Sequence, residues 1–136
     1  MKVDVFIEKG LDGTYDMHFG DDTKGLTFGL LGQGNTVQEA MEDFYIGKDE
    51  MKELYEDLGK DFPEDLEFKF KYDLPSFLQY YSKILSLAGL ERLTGVNQGQ
   101  LSHYITGRRK PGRKTIEKIE KALHQFGKEI SQVEFV

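Results

Sequence analysis

Residues Leu87 to Lys114 read LAGLERLTGVNQGQLSHYITGRRKPGRK, and this stretch decides how the second half of the chain folds. Two short helices held at a fixed angle need an apolar stripe on each, a joint that can enter left-handed backbone space, and a cap for the second helix. Leu90 and Leu93 supply the first stripe, Gly95 the joint, Val96 an apolar plug at the corner and Asn97 the cap. From that cap, Gln98 to Thr106 reads as a helix whose Leu101, Tyr104 and Ile105 share an inward face. Gln98, Gly99, Ser102, His103 and Thr106 then lie on the opposite face, and Gly107 ends the helix.

That opposite face is made of short or amide-bearing polar groups, and a Gln can both donate to and accept from one adenine edge in the major groove. Beyond it, Arg108, Arg109, Lys110, Arg113 and Lys114 place five cations within seven residues, interrupted by Pro111-Gly112, which reads as a turn. Such a cluster would neutralise phosphates, the sequence-independent part of DNA affinity. Gln98, Ser102 and His103 are the candidate base readers. Asn97, Arg108, Arg109, Lys110, Arg113 and Lys114 are the candidate contacts to the DNA backbone. The bland alternative is an ordinary helical hairpin with a solvated basic loop.

Gly95-Val96-Asn97, followed by Leu101, Tyr104, Gly107, the basic loop with Pro111 and a further amphipathic helix, resembles the lambda-repressor-like (Xre) helix-turn-helix class over residues 76–126. The resemblance implies a double-stranded operator as partner. Symmetric operators take one reading helix per half-site, so a homodimer or higher oligomer is the expected active form. Glu91 stands where that class usually has a small residue facing the reading helix, and Leu87 stands where it often has Gln.

Charge divides the 136 residues in two. Residues 1–73 hold 8 Lys and Arg against 19 Asp and Glu (−11), whereas residues 74–136 hold 10 against 5 (+5), for a net of −6. An acidic module (1–73) joined to a basic one (74–136) implies different partners for the two, since DNA repels the first. The chain has no cysteine, which excludes disulfides and thiolate metal sites and suits a reducing compartment. No stretch is long or apolar enough to span a bilayer and no basic leader with an apolar core begins the chain, so a cytoplasmic protein is expected.

In the acidic module, Val3 to Glu8 alternates as a strand, Asp12-Gly13 supplies a tight turn, and Thr14 to Phe19 returns with Tyr15, Met17 and Phe19 on one face. Leu26 to Leu31 reads as a third strand, broken by Gly32-Gln33-Gly34-Asn35. Thr36-Val37-Gln38-Glu39 has the form of a capping box and opens a long helix carrying Val37, Ala40, Met41, Phe44, Met51, Leu54, Tyr55 and Leu58, with Gly47 a weak point within it. Leu66, Phe68, Phe70 and Tyr72 then alternate as a fourth strand. The order βββαβ predicts a two-layer module, and the whole chain an α+β protein.

Val3 to Glu8, Asp12-Gly13-Thr14-Tyr15 and the run Gly32 to Ala40, with Gly34, Thr36, Glu39 and Ala40 in a Gly-x-Thr-x-x-Glu-Ala pattern, resemble the HicB-type antitoxins. The resemblance implies a degraded RNase H-like fold for this module and a small, basic ribonuclease toxin as its partner. It also implies that the C-terminal domain represses the chain's own operon. Asp22-Thr23-Lys24-Gly25 stands where many members have a Pro-Gly-Cys-like turn.

Asp4, Asp16, Asp21 and Asp22 lie in or beside strands, but Asp4 and Asp16 fall on the polar face, so no metal site or cofactor is expected. His18 shares that face without a Ser, Cys or second His to pair with, and His124 reads as solvated, so no catalytic residue is assigned. Tyr45 and Tyr55 read as core or as interface anchors.

Asp73-Leu74-Pro75-Ser76 joins the modules, with Ser76 or Asp73 as cap for a helix carrying Phe77, Leu78, Tyr81, Ile84 and Leu85. The second core is expected from Leu78, Leu90, Val96, Leu101, Ile116, Ile119 and Leu123. Residues 130–136 read as a short β-like tail or a further helix turn whose apolar end could meet a second copy. The leading expectation is an operator-binding regulator of the antitoxin kind. The others are a sequestering protein without operator binding, and a solitary regulator without a toxin.

Overall fold

The computed structural model describes residues 1–136 and shows an α+β protein. Its elements run β1 (Lys2–Lys9), β2 (Tyr15–Phe19), β3 (Leu31–Gly34), α1 (Val37–Asp57), β4 (Glu67–Tyr72), α2 (Leu74–Tyr81), α3 (Leu87–Thr94), α4 (Gln98–Thr106) and α5 (Arg113–Ser131). They form two compact units, Met1–Asp73 and Leu74–Val136.

In the first unit the sheet order is β3-β2-β1-β4. β1 and β2 are an antiparallel hairpin with Val5 opposite Phe19 and Lys9 opposite Tyr15, closed by a turn in which Gly13 has φ 85°. The Thr14 hydroxyl and amide both donate to Asp12 Oδ1, at 2.7 and 3.0 Å, and hold that carboxyl below its ordinary pKa. β4 joins β1 in parallel, with Val3 opposite Phe68, which a crossover such as α1 makes possible. Strand alternation then does what the pleat dictates: Val3, Val5, Ile7, Tyr15 and Met17 are buried, as are Ala40 and Phe44 of α1. The Phe44 ring meets Phe68 edge to face at 4.9 Å.

The cap of α1 forms as its sequence predicts. Thr36 Oγ1 accepts from Glu39 N at 3.1 Å, while the Glu39 carboxylate reaches back to Asn35 N at 2.8 Å. Gly47 does not interrupt the helix.

The third strand is displaced from its expected place. Leu26–Leu30 makes no ladder, and β3 is instead Leu31–Gly34, the glycine segment expected to break it. β2 pairs its residues 15–18 with 34–31, which leaves no partner for 26–30. Lys24 (φ 54°) and Gly25 (φ 79°) also turn the chain just before that segment. The alternation seen in the sequence is real as side-chain direction, since Leu30 is buried and Phe28 meets Phe62 and Tyr55 at 5.5 and 5.6 Å. The glycines are in β3 because α1 lies directly on its backbone. A Cβ at Gly32 would sit 2.7 Å from Phe44 N, and one at Gly34 would sit 2.6 Å from Ala40 N.

On the other face of the sheet, Lys71 Nζ donates to Asp4 at 2.7 Å, and His18 Nε2 lies 3.5 Å from Glu8. Both pairs are partly exposed and contribute little. The side chains of Asp4 and His18 are thus engaged by neighbours on that face.

In the second unit, α2 to α5 surround Leu78, Leu90, Val96, Leu101, Tyr104 and Ile119. Ile116, expected in this core, is 39 % exposed, and Leu123 is only partly buried. Ile116 lies in the first turn of α5, three residues before the buried Ile119. Tyr104 also lies in the core. α2 starts at Leu74, with Pro75 in its first turn, where a missing N–H costs nothing. It stops at Tyr81, so Ile84, expected on its apolar stripe, is 73 % exposed in the turn that follows. α5 continues to Ser131, and residues 133–136 have no regular structure.

Two glycine substitutions separate close approach from helix propensity. Gly32→Ala is expected to lower unfolding stability by about 1–3 kcal/mol through overpacking against α1. Gly47→Ala, whose added Cβ would meet only Leu31 O at 3.5 Å, is expected to raise it by about 0.5–1 kcal/mol. Urea unfolding followed by far-ultraviolet circular dichroism measures both.

Candidate nucleic-acid interface

Each joint of α3 and α4 is fixed by a named contact. Ser86 Oγ caps α3 by accepting from Gly89 N at 3.0 Å. α3 ends where Gly95 enters left-handed space at φ 73° and donates its N–H to Glu91 O at 2.7 Å. The corner carries a buried hydroxyl: Thr94 Oγ1 donates to Leu90 O at 2.6 Å and accepts from Val96 N at 3.1 Å. That pair satisfies the amide of a residue whose side chain must point into the core. Asn97 Oδ1 then caps α4 by accepting from Gly99 N at 2.7 Å. At the far end, Gln79 Nε2 of α2 donates to Ile105 O at 2.9 Å, and Gly107 closes α4 at φ 78°.

The three candidate base readers lie on one side of α4. Gln98 is exposed, while Ser102 and His103 are half-buried. Gln98 is not free-standing. Its backbone N–H and its Nε2 donate to the two carboxylate oxygens of Glu91, at 3.3 and 3.2 Å. Glu91 was legible in the sequence only as an unusual neighbour of the reading helix. Its contact with Gln98 crosses from α3 to α4 through the turn at Gly95, so no periodicity within either helix marks it.

The five cations divide between two elements. Arg108, Arg109 and Lys110 are exposed on the loop, which folds back so that Arg109 N donates to His103 O at 3.3 Å. Arg113 and Lys114 were expected within that loop but form the first turn of α5, since Gly112 is its extended cap residue at φ −76°. Gly112 makes no side-chain cap and the first turn of α5 holds no acid. Two cations at a helix N-terminus oppose the helix dipole. The Arg113 to Glu117 pair at 3.1 Å, 88 % and 63 % exposed, relieves this only weakly. An anion placed there would be attracted by both the cations and the free amides. Sequence reasoning missed one further cation: Lys118 lies over the turn, its Nζ 3.4 Å from where a Gly95 Cβ would be.

Residues 79–124 match the helix-turn-helix family model HTH_3, from within α2 to within α5. Neither a curated protein nor a solved structure matches the chain. The second unit therefore carries an Xre-like helix-turn-helix domain, the domain of DNA-binding transcription regulators. No helix of the chain is long and apolar enough to cross a membrane.

The Thr94 corner is expected to be the most sensitive point of the interface. Thr94→Val keeps the volume but leaves the buried Val96 N–H unpaired, so it should cost about 1–3 kcal/mol. Thermal unfolding and amide exchange at Val96 would register the loss.

Proposed function

We propose that the chain is a sequence-specific regulator whose second unit reads an operator as a homodimer, with the first unit binding a small, basic ribonuclease toxin. The observation that carries the DNA half is that Gln98, Ser102 and His103 lie away from the buried Leu101 and Tyr104 of α4, with Arg108, Arg109 and Lys110 exposed on the loop that follows. On this reading, Gln98, Ser102 and His103 meet base edges. Arg108, Arg109, Lys110, Arg113 and Lys114 meet phosphates, and Asn97, whose Oδ1 is engaged by the cap, offers its Nδ2 hydrogens to the backbone.

Support for dimerisation comes from the end of the chain, where Ile130, Val133 and Phe135 are 55 %, 53 % and 94 % exposed. Support for a basic protein partner comes from the acidic unit. Met41, Tyr45 and Ile46 make an outward apolar stripe on α1 beside Glu42 and Asp49, with Tyr45 and Ile46 40 % and 56 % exposed. Like charge disfavours a second copy of that unit as its occupant. The antitoxin role itself rests on the HicB resemblance of Gly34, Thr36, Glu39 and Ala40.

Gel-shift titrations at several salt concentrations on the DNA upstream of the gene test the first half. Arg109→Ala is expected to weaken binding to every duplex and to lower the salt slope by roughly one. An absent shift at low salt would instead favour a sequestering protein. For the second half, the chain is co-expressed with the small basic protein of an adjacent reading frame. Tyr45→Ala should weaken the complex by about 1–3 kcal/mol, as loss of an aromatic anchor does. If the wild-type chain forms no complex, a solitary regulator remains.

A further inference from the structure

We propose that Glu91 is a positioning residue for base recognition, holding the Gln98 carboxamide with its oxygen outward. The inference rests on the reading that α4 enters the major groove. A carboxylate only accepts hydrogen bonds, so the nitrogen end of the Gln98 amide must be the end that faces Glu91. Both oxygens of Glu91 are used on the same residue, Oε1 on the backbone N–H at 3.3 Å and Oε2 on Nε2 at 3.2 Å. Two contacts to one residue fix its direction as one contact would not. The carboxylate also lies at the N-terminus of α4, where the helix dipole favours negative charge.

The consequence is a defined reader. An untethered Gln can turn its amide over and present a donor or an acceptor at the same place, so it discriminates poorly between base edges. With Nε2 turned back to Glu91, Gln98 Oε1 leads into the groove and accepts. The bases that present a donor there are adenine, through N6, and cytosine, through N4. Glu91 acts a second way, since its negative charge beside the duplex weakens binding to every sequence alike. Positioning raises the ratio of specific to non-specific affinity, whereas the repulsion lowers both affinities together and leaves the ratio as it is.

Selection of binding sites from a pool of random duplexes, with the full chain, tests this. Wild type should enrich one particular base pair at the position lost from the Gln98→Ala profile. Glu91→Ala should relax that same position by on the order of 5–10-fold while binding random DNA more tightly. In the Glu91→Ala background, adding Gln98→Ala should change the profile little. Glu91→Gln removes the charge but keeps an acceptor for Nε2, so it should retain the base preference while sharing the gain on random DNA. Circular dichroism melting identifies any variant that fails to fold, and Glu91→Ser, too short to hold Gln98 Nε2, then replaces Glu91→Ala with the same expected relaxation.

If Glu91→Ala tightens all duplexes equally and leaves every position of the profile unchanged, the residue supplies charge and no positioning. Failure of the underlying reading looks different: wild type would enrich no sequence, and Arg109→Ala would not weaken binding to random DNA.

Discussion

The angle between α3 and α4 depends on one buried hydroxyl. Thr94 Oγ1 both donates to Leu90 O and accepts from Val96 N, which lets the chain leave α3, pass through Gly95 and bury Val96 without an orphaned amide. Gly95 contributes the left-handed backbone and Asn97 contributes the cap, but neither could bury the corner without that hydroxyl. The side of α4 that carries Gln98, Ser102 and His103 inherits its direction from this corner.

A different constraint organises the acidic unit. α1 lies so near β3 that two strand positions have no room for a side chain, and Gly32 and Gly34 fill them. The carboxylates of α1 then serve the same edge: Asp43 accepts from Gln33 N at 2.9 Å, and Glu39 from Asn35 N at 2.8 Å. β3 is an edge strand, and amides answered from within the unit are not available to recruit a foreign strand. Acidic composition, which reads as electrostatics along the sequence, is here partly structural.

Much of the fold was legible. Alternation located β1, β2 and β4, capping residues marked the start of α1 at Thr36 and of α4 at Asn97, and Gly95 and Gly107 closed the helices they were expected to close. These signals are local, and local backbone preferences govern them. The segments that moved were those whose pattern found no neighbour to cover it. Leu26–Leu30 alternates but has no strand to pair with, and Ile116 has helical spacing but is 39 % exposed in the first turn of α5. Pro111-Gly112 reads as a turn, yet Gly112 is the cap of α5, so the basic cluster is split between a loop and a helix.

By itself the sequence determined the two-part division of charge, the helix-turn-helix and the polar face of its second helix, because composition, spacing and capping chemistry are carried by residues close together in the chain. Tertiary structure alone decided that glycines would form β3, that Ile116 would lie largely outside the core, and that Glu91 would grip Gln98 by its nitrogen end. Each of those outcomes depends on which backbone or side chain approaches across space, and a one-dimensional pattern does not encode that distance.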